Sequence, residues 1–108
     1  MTGRPIRIAL GCALACWMSA AQADVQAGRT KARMCAVCHG EFGVSVLPNA
    51  PSLAGQPEVY LAEQLKPYRS GKRSGETMSV VAKSLSDADI SDLAAWFASI
   101  AVEVKPPK

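Results

Sequence analysis

Two arginines, Arg4 and Arg7, precede an apolar run without charge from Ile8 to Ala23. Sixteen residues fall short of the roughly 20 that a membrane helix needs, and they fit the apolar core of a secretion signal. Ala21-Gln22-Ala23 supplies the small-x-small pattern after which signal peptidase cuts. Residues 1–23 are therefore read as a signal peptide and 24–108 as a single domain. An uncleaved N-terminal anchor is the competing reading, and the short run with its cleavage pattern speaks against it. Cys12 and Cys16 lie inside the run, but Trp17 and Met18 continue it past Cys16, unlike a lipoprotein signal. Neither arginine has an arginine neighbour, so the export route for folded cargo is not indicated.

Beyond Ala23 the periodicity is helical. Residues 24–33 are mostly good helix formers and predict a first helix. Residues 40–56 hold Gly40, Gly43, Gly55, Pro48 and Pro51 and read as an ordered loop. Pro57 suits the first position of a helix in which Val59, Leu61, Ala62 and Leu65 supply the apolar spacing. Pro67 is expected to kink or end that helix, and Gly71 closes the segment. A polar loop follows over 72–77, and a short helix is expected over 80–85. The last helix is the clearest. Ser86 with Asp89 resembles a capping box, Asp87, Asp89 and Asp92 crowd the positive end of the helix dipole, and Ile90, Leu93, Ala94, Phe97, Ile100 and Ala101 form one apolar stripe. The tail from Lys105 reads as a frayed end. No stretch alternates with period two long enough to build a sheet, so the fold class is all-α.

Composition sharpens this picture. Loss of residues 1–23 removes two of the 12 basic residues and none of the 9 acids, so the formal charge of +3 falls to about +1. A domain this close to neutral is a poor partner for nucleic acid. The remaining 85 residues contain five aromatics and two cysteines, little for a small exported domain to build a core around. The composition asks for a further component in the core.

Cys35-Ala36-Val37-Cys38-His39 supplies it. Cysteines three apart project from nearly the same face of a helical turn, and the histidine follows directly. Two thiols so placed can add across the two vinyl groups of one haem while the imidazole reaches its iron, which is the c-type haem attachment signature. Three other readings use the same residues. A thioredoxin-like disulfide lacks the βαβ pattern it needs, structural zinc lacks a fourth ligand, and chance occurrence is weakened by export and by the small core. For the second axial position there is no other histidine. Met1 and Met18 leave with the signal, and Met34 adjoins the attachment turn on the same side of the haem. Met78 remains, 39 residues beyond His39. Lys72, Lys83 or an open position stay as alternatives.

The order of these features resembles the class I cytochromes c. Cys35–His39 stands near the mature N-terminus, followed by Pro51-Ser-Leu-Ala-Gly55, Gly71-Lys-Arg73, Met78 and Leu85-Ser-Asp-Ala-Asp-Ile90. The chain is most similar to the small bacterial periplasmic type, including single domains of dihaem members, over nearly all of 24–103. The resemblance implies three to five helices wrapped around one covalently bound haem c. It implies that the first and last helices cross, with Gly28 meeting Trp96 or Phe97, and that the Pro51 carbonyl accepts from the outer nitrogen of His39. Tyr60, Tyr68 and Arg73 become candidates to contact the haem propionates.

The expected function is a periplasmic one-electron carrier with His39 and Met78 on the iron, exchanging electrons with redox proteins such as a respiratory complex, a terminal oxidase or a dehydrogenase. The exposed haem edge is expected near Val37. Lys66, Arg69, Lys72 and Arg73 form a basic cluster that either meets an acidic partner or is a solvated helix end. Alternatives of other classes are a haem-bearing subunit of a dehydrogenase, a weak haem peroxidase, and a thiol redox or disulfide-stapled binding module.

Overall fold

The computed structural model describes residues 1–3 and 21–108. Arg4, Arg7, Cys12, Cys16, Trp17 and Met18, and with them most of the expected leader, lie outside the described residues. The described residues form helices α1 (Val25–Lys31), α2 (Ala36–His39), α3 (Glu58–Ser70), α4 (Met78–Lys83) and α5 (Asp87–Ser99), with a 3-10 turn over Ala32–Met34 between the first two. No strand occurs among the described residues.

Helix α5 begins with the expected box. The Ser86 hydroxyl accepts from the Asp89 N–H at 3.0 Å, and the Asp89 carboxylate accepts from the Ser86 N–H at 3.0 Å. Two of the helix's orphan donors are thereby satisfied. Its stripe is buried at Ile90, Leu93, Ala94 and Phe97, joined by Ala95. Ile90 and Leu93 are fully enclosed, and burial of each such side chain is worth about 1.5–3 kcal/mol. The stripe is shorter than its spacing predicts. Ile100 has left the helix for extended backbone and is only partly buried, and Ala101 is exposed.

Helix α1 lies across α5. A Cβ on Gly28 would collide with the Asp92 carbonyl oxygen and stand 2.9 Å from the Trp96 Cβ. Only a glycine allows the two backbones to approach so closely. The partner is therefore Trp96; Phe97 turns to Gly43, where a Cβ would lie 2.8 Å from its ring. The Asp24 carboxylate caps α1 by accepting from the N–H groups of Gln26 and Ala27 at 2.9 and 3.0 Å. Its own N–H donates to Asp92 Oδ1 at 2.7 Å, and Lys31 pairs with Asp89 at 3.2 Å, so α1 is tied to α5 at both ends.

Helix α3 departs from expectation in three ways. Pro57 caps it from outside, so the first helical residue is Glu58. Val59, expected in the apolar face, is 69% exposed, whereas Leu61 is buried and Ala62 and Leu65 pack against the core. Pro67 lies within the helix, which runs on to Ser70. A proline cannot donate to the carbonyl one turn back, which normally breaks a helix. Here tertiary bonds hold the last turn: Arg69 donates to the Leu85 carbonyl at 3.1 Å and to Asp87 at 2.6 Å. The Pro67 carbonyl accepts from the Arg73 N–H at 3.1 Å, and Gly71 ends the helix at φ +82°.

The short helix α4 starts two residues before the expected one. The Gly75 carbonyl accepts from the Ser79 N–H at 2.9 Å and the Ser79 hydroxyl accepts from the Gly75 N–H at 3.1 Å, so the turn begins in the preceding loop. Met78 thus becomes its first residue. Ala32, Leu61, Ala82, Leu85, Ile90, Leu93, Ala94 and Phe97 form one buried cluster, drawn from α3, α4 and α5, the 3-10 turn and the link between α4 and α5.

Candidate functional site

The attachment turn is helical. The Cys38 and His39 N–H groups both donate to the Cys35 carbonyl, at 3.2 and 2.9 Å, which sets Cys35 and Cys38 one turn apart. Both thiols are free and partly buried. Burial first, and the nearby Cys38 second, push the Cys35 thiol above its ordinary pKa. Among the described residues no three His, Cys, Asp or Glu side chains are grouped to hold a bare metal ion.

His39 ends α2 and is 8% exposed. Its Nδ1 lies 2.7 Å from the Pro51 carbonyl oxygen. A carbonyl can only accept, so Nδ1 carries a proton, and Nε2 is the ring nitrogen that the neutral tautomer offers to a metal. The loop over 40–56 is ordered around this bond. The Gly43 carbonyl accepts from Leu53 and Ala54 at 2.7 and 3.0 Å, the Ser45 hydroxyl donates to the Cys38 carbonyl at 3.0 Å, and the Gly55 N–H donates to the Phe97 carbonyl at 2.9 Å. Pro51 is thereby carried back to His39 by backbone bonds that depend little on side-chain identity.

Cys35, Cys38, His39, Pro51 and Met78 all line one cavity of about 560 Å³, within the range of cofactor sites. Met34 also lines it, from the turn just before Cys35, whereas Lys72 and Lys83 do not. Leu61, Leu93, Ala94 and Phe97 line it too, so its apolar walls belong to the same cluster as the core. Tyr60, Tyr68 and Arg73 also line the cavity. Gln64 reaches it as well and was not anticipated. Tyr60, Gln64 and Tyr68 recur every four residues on α3, a spacing that marks one face; a search confined to apolar residues passes over Gln64.

A family model for cytochrome c matches residues 25–101. The chain belongs to the cytochrome c family. It is 47% identical over 79 residues to a cytochrome c4 of Pseudomonas aeruginosa, covering 73% of this chain and 39% of that protein. It is 42% identical over 79 residues to cytochrome c-554(548) of Halomonas halodenitrificans, covering 70% of this chain and 95% of the relative. The solved reduced recombinant cytochrome c4 from Pseudomonas stutzeri superposes with a TM-score of 0.71 at 38% identity, over 76% of this chain and 48% of the other. The chain thus spans less than half the length of the cytochrome c4 proteins and nearly all of cytochrome c-554(548). The all-α arrangement is the class I cytochrome c fold, and the cofactor of the family is covalently bound haem c.

The residues present fit that group. Two free thiols one turn apart, an imidazole with an available Nε2, and a thioether border one apolar-walled cavity. Val37, between the cysteines, is 86% exposed, so the attachment turn reaches the surface where an edge of the group is expected. The basic cluster is less free than its sequence suggests. Arg69 is engaged with Asp87 and the Leu85 carbonyl, and Arg73 with Gln64 and the Tyr68 ring. Among the described residues the Lys66 and Lys72 side chains form no hydrogen bond or ion pair, and of the four basic groups only Arg69 is paired with an acid. No helix among the described residues is long and apolar enough to cross a membrane.

Proposed function

We propose that this chain is a periplasmic one-electron carrier, exported by a leader over 1–23 that is removed after Ala23. In this reading Cys35 and Cys38 would hold one haem c through thioether bonds, His39 Nε2 and the Met78 sulfur would ligate its iron, and the Pro51 carbonyl would orient His39. The observation that carries it is the 2.7 Å bond from His39 Nδ1 to Pro51, on the rim of a cavity that both thiols and Met78 also line. When bound, haem supplies a one-electron couple at its iron.

The chain's own residues set the conditions for that couple. The fixed Pro51 acceptor holds the His39 tautomer and raises the basicity of Nε2. The Met78 thioether, a soft ligand, favours the reduced state and raises the potential. With both axial positions taken, no site is left for substrate, and no side chain is assigned a catalytic role. Leu93, Ala94 and Phe97 keep water from the buried face, while the surface beside Val37 gives redox proteins a short path for exchange. The proposed cleavage suits the fold, because Asp24 supplies its own cap for α1 and its nitrogen already faces Asp92.

Two measurements test the reading. A haemochrome spectrum of denatured, acid-extracted protein is expected to show haem that stays with the polypeptide, and its loss on extraction overturns the covalent assignment. In the ferric protein Met78→Ala is expected to abolish the far-red iron–thioether band, and a persisting band removes Met78 as ligand. The mass of protein recovered from the periplasm reports the cleavage after Ala23.

A further inference from the structure

Met78 sits at the start of a six-residue helix whose N-cap, Thr77, makes no side-chain capping bond. So short a helix is not stable by itself, and its position is decided by what the preceding segment is fastened to. That segment runs from Gly71 to Thr77 and is joined to α3 chiefly through Arg73. The Arg73 N–H donates to the Pro67 carbonyl at 3.1 Å, and its guanidinium donates to Gln64 Oε1. The guanidinium carbon lies 4.4 Å from the centre of the Tyr68 ring, within cation–π range. The same ring reaches Gly75, where a Cβ would stand 2.7 Å from Tyr68 Cε1 and 3.5 Å from the Met78 Cβ. Arg73 thus touches Gln64 and Tyr68, the Tyr68 ring closes over Gly75 beside Met78, and all five border the cavity.

We propose that Arg73, stacked on Tyr68, is a positioning residue that latches the Met78-bearing segment against α3 and so sets how firmly the Met78 sulfur is held on the iron. The proposal rests on the reading of Met78 as axial ligand. Any free energy that the latch contributes must be given up when the segment swings away, so it opposes displacement of Met78 by another ligand. The part of Tyr68 in use is its ring face, not its hydroxyl. The guanidinium is planar and stacks well, which makes Arg73 the active member of a cluster where Lys66 is only a neighbouring charge.

The test is imidazole titration of the ferric holoprotein at fixed pH, following loss of the far-red iron–thioether band. Arg73→Ala is expected to lower the apparent Kd for imidazole roughly three- to tenfold, the range a partly exposed cation–π contact allows. Tyr68→Phe keeps the ring and is expected to leave the Kd near its original value, while Tyr68→Leu is expected to match Arg73→Ala. Lys66→Ala removes a charge from the same helix, at a position that does not border the cavity, and is expected to leave the Kd unchanged. An unchanged Kd in Arg73→Ala overturns the latch, as does an equal fall in Lys66→Ala, which would make the effect one of net charge. A change in potential in Arg73→Ala without a change in Kd overturns it too, because Arg73 would then act on the charge of the haem. Absence of the far-red band from the unaltered protein overturns the axial assignment and the latch together; presence of the band with an unresponsive Kd overturns the latch alone.

Discussion

Where α1 crosses α5, backbone meets backbone: Gly28 has no room for a Cβ beneath Asp92, and Asp24 and Lys31 fasten the two ends. Around α2 and α4 the same chain surrounds a cavity of about 560 Å³ with loops and two helices of four and six residues. The first region is held by contacts between its own residues. In the second, Met78, Pro51 and the two cysteines border one cavity, and in the proposed reading a haem bound there would join the segments that carry them. The contrast shows how a domain of this size divides its work: one crossing makes the frame, and the frame presents ligands from segments too short to be stable alone.

The comparison breaks first at the cysteines. Replacing both, Cys35→Ala with Cys38→Ala, is expected to remove covalent haem and leave the chain without a cooperative thermal transition by far-ultraviolet circular dichroism. A haem-free variant that unfolds cooperatively would mean that the α1–α5 frame suffices by itself. The next effect belongs to the frame. Gly28→Ala forces a methyl group into the Asp92 carbonyl and is expected to destabilise the protein by about 1–3 kcal/mol, read from the denaturant midpoint. Its far-red thioether band is expected to survive, because the strain falls on the side remote from Met78.

The smallest effect is on pH. The Arg69 guanidinium holds the Asp87 carboxyl below its usual range, and the Ser86 N–H, with Lys31 nearby, does the same for Asp89. A pKa lower in the folded than in the unfolded chain means stability present above about pH 4 and lost as pH falls through the folded value. Urea midpoints measured at pH 6 and near pH 3 are expected to fall less in Asp89→Asn than in the unaltered protein. An identical fall in the two would show that the capping carboxylate contributes nothing to acid sensitivity. Asp87 is open to solvent and Asp89 is only partly covered, so the effect is expected to be modest.

Much of the site is legible in the chain because its chemistry is local. Cys35, Cys38 and His39 occupy one helical turn, and the cap at Ser86 and the stripe through Phe97 lie within a single helix. Contacts between distant segments are less so. Gln64 escapes a search for apolar spacing, and its role appears only once Arg73 has folded back over α3. Val59 has the right spacing but faces solvent, because no element among the described residues covers it.

By itself the sequence determined the all-α class, the attachment turn, the capping box of α5 and the ordered loop between Gly40 and Gln56. Each is set by residues a few positions apart, where propensity and hydrogen-bond geometry act with little help from the rest of the chain. Tertiary structure alone decided that α3 continues through Pro67, that α4 opens at Met78, and that Arg69 binds Asp87 and the Leu85 carbonyl while Arg73 folds over α3 onto Gln64 and Tyr68. In each case the local preference is worth no more than a few kcal/mol, and bonds to a second segment outweigh it.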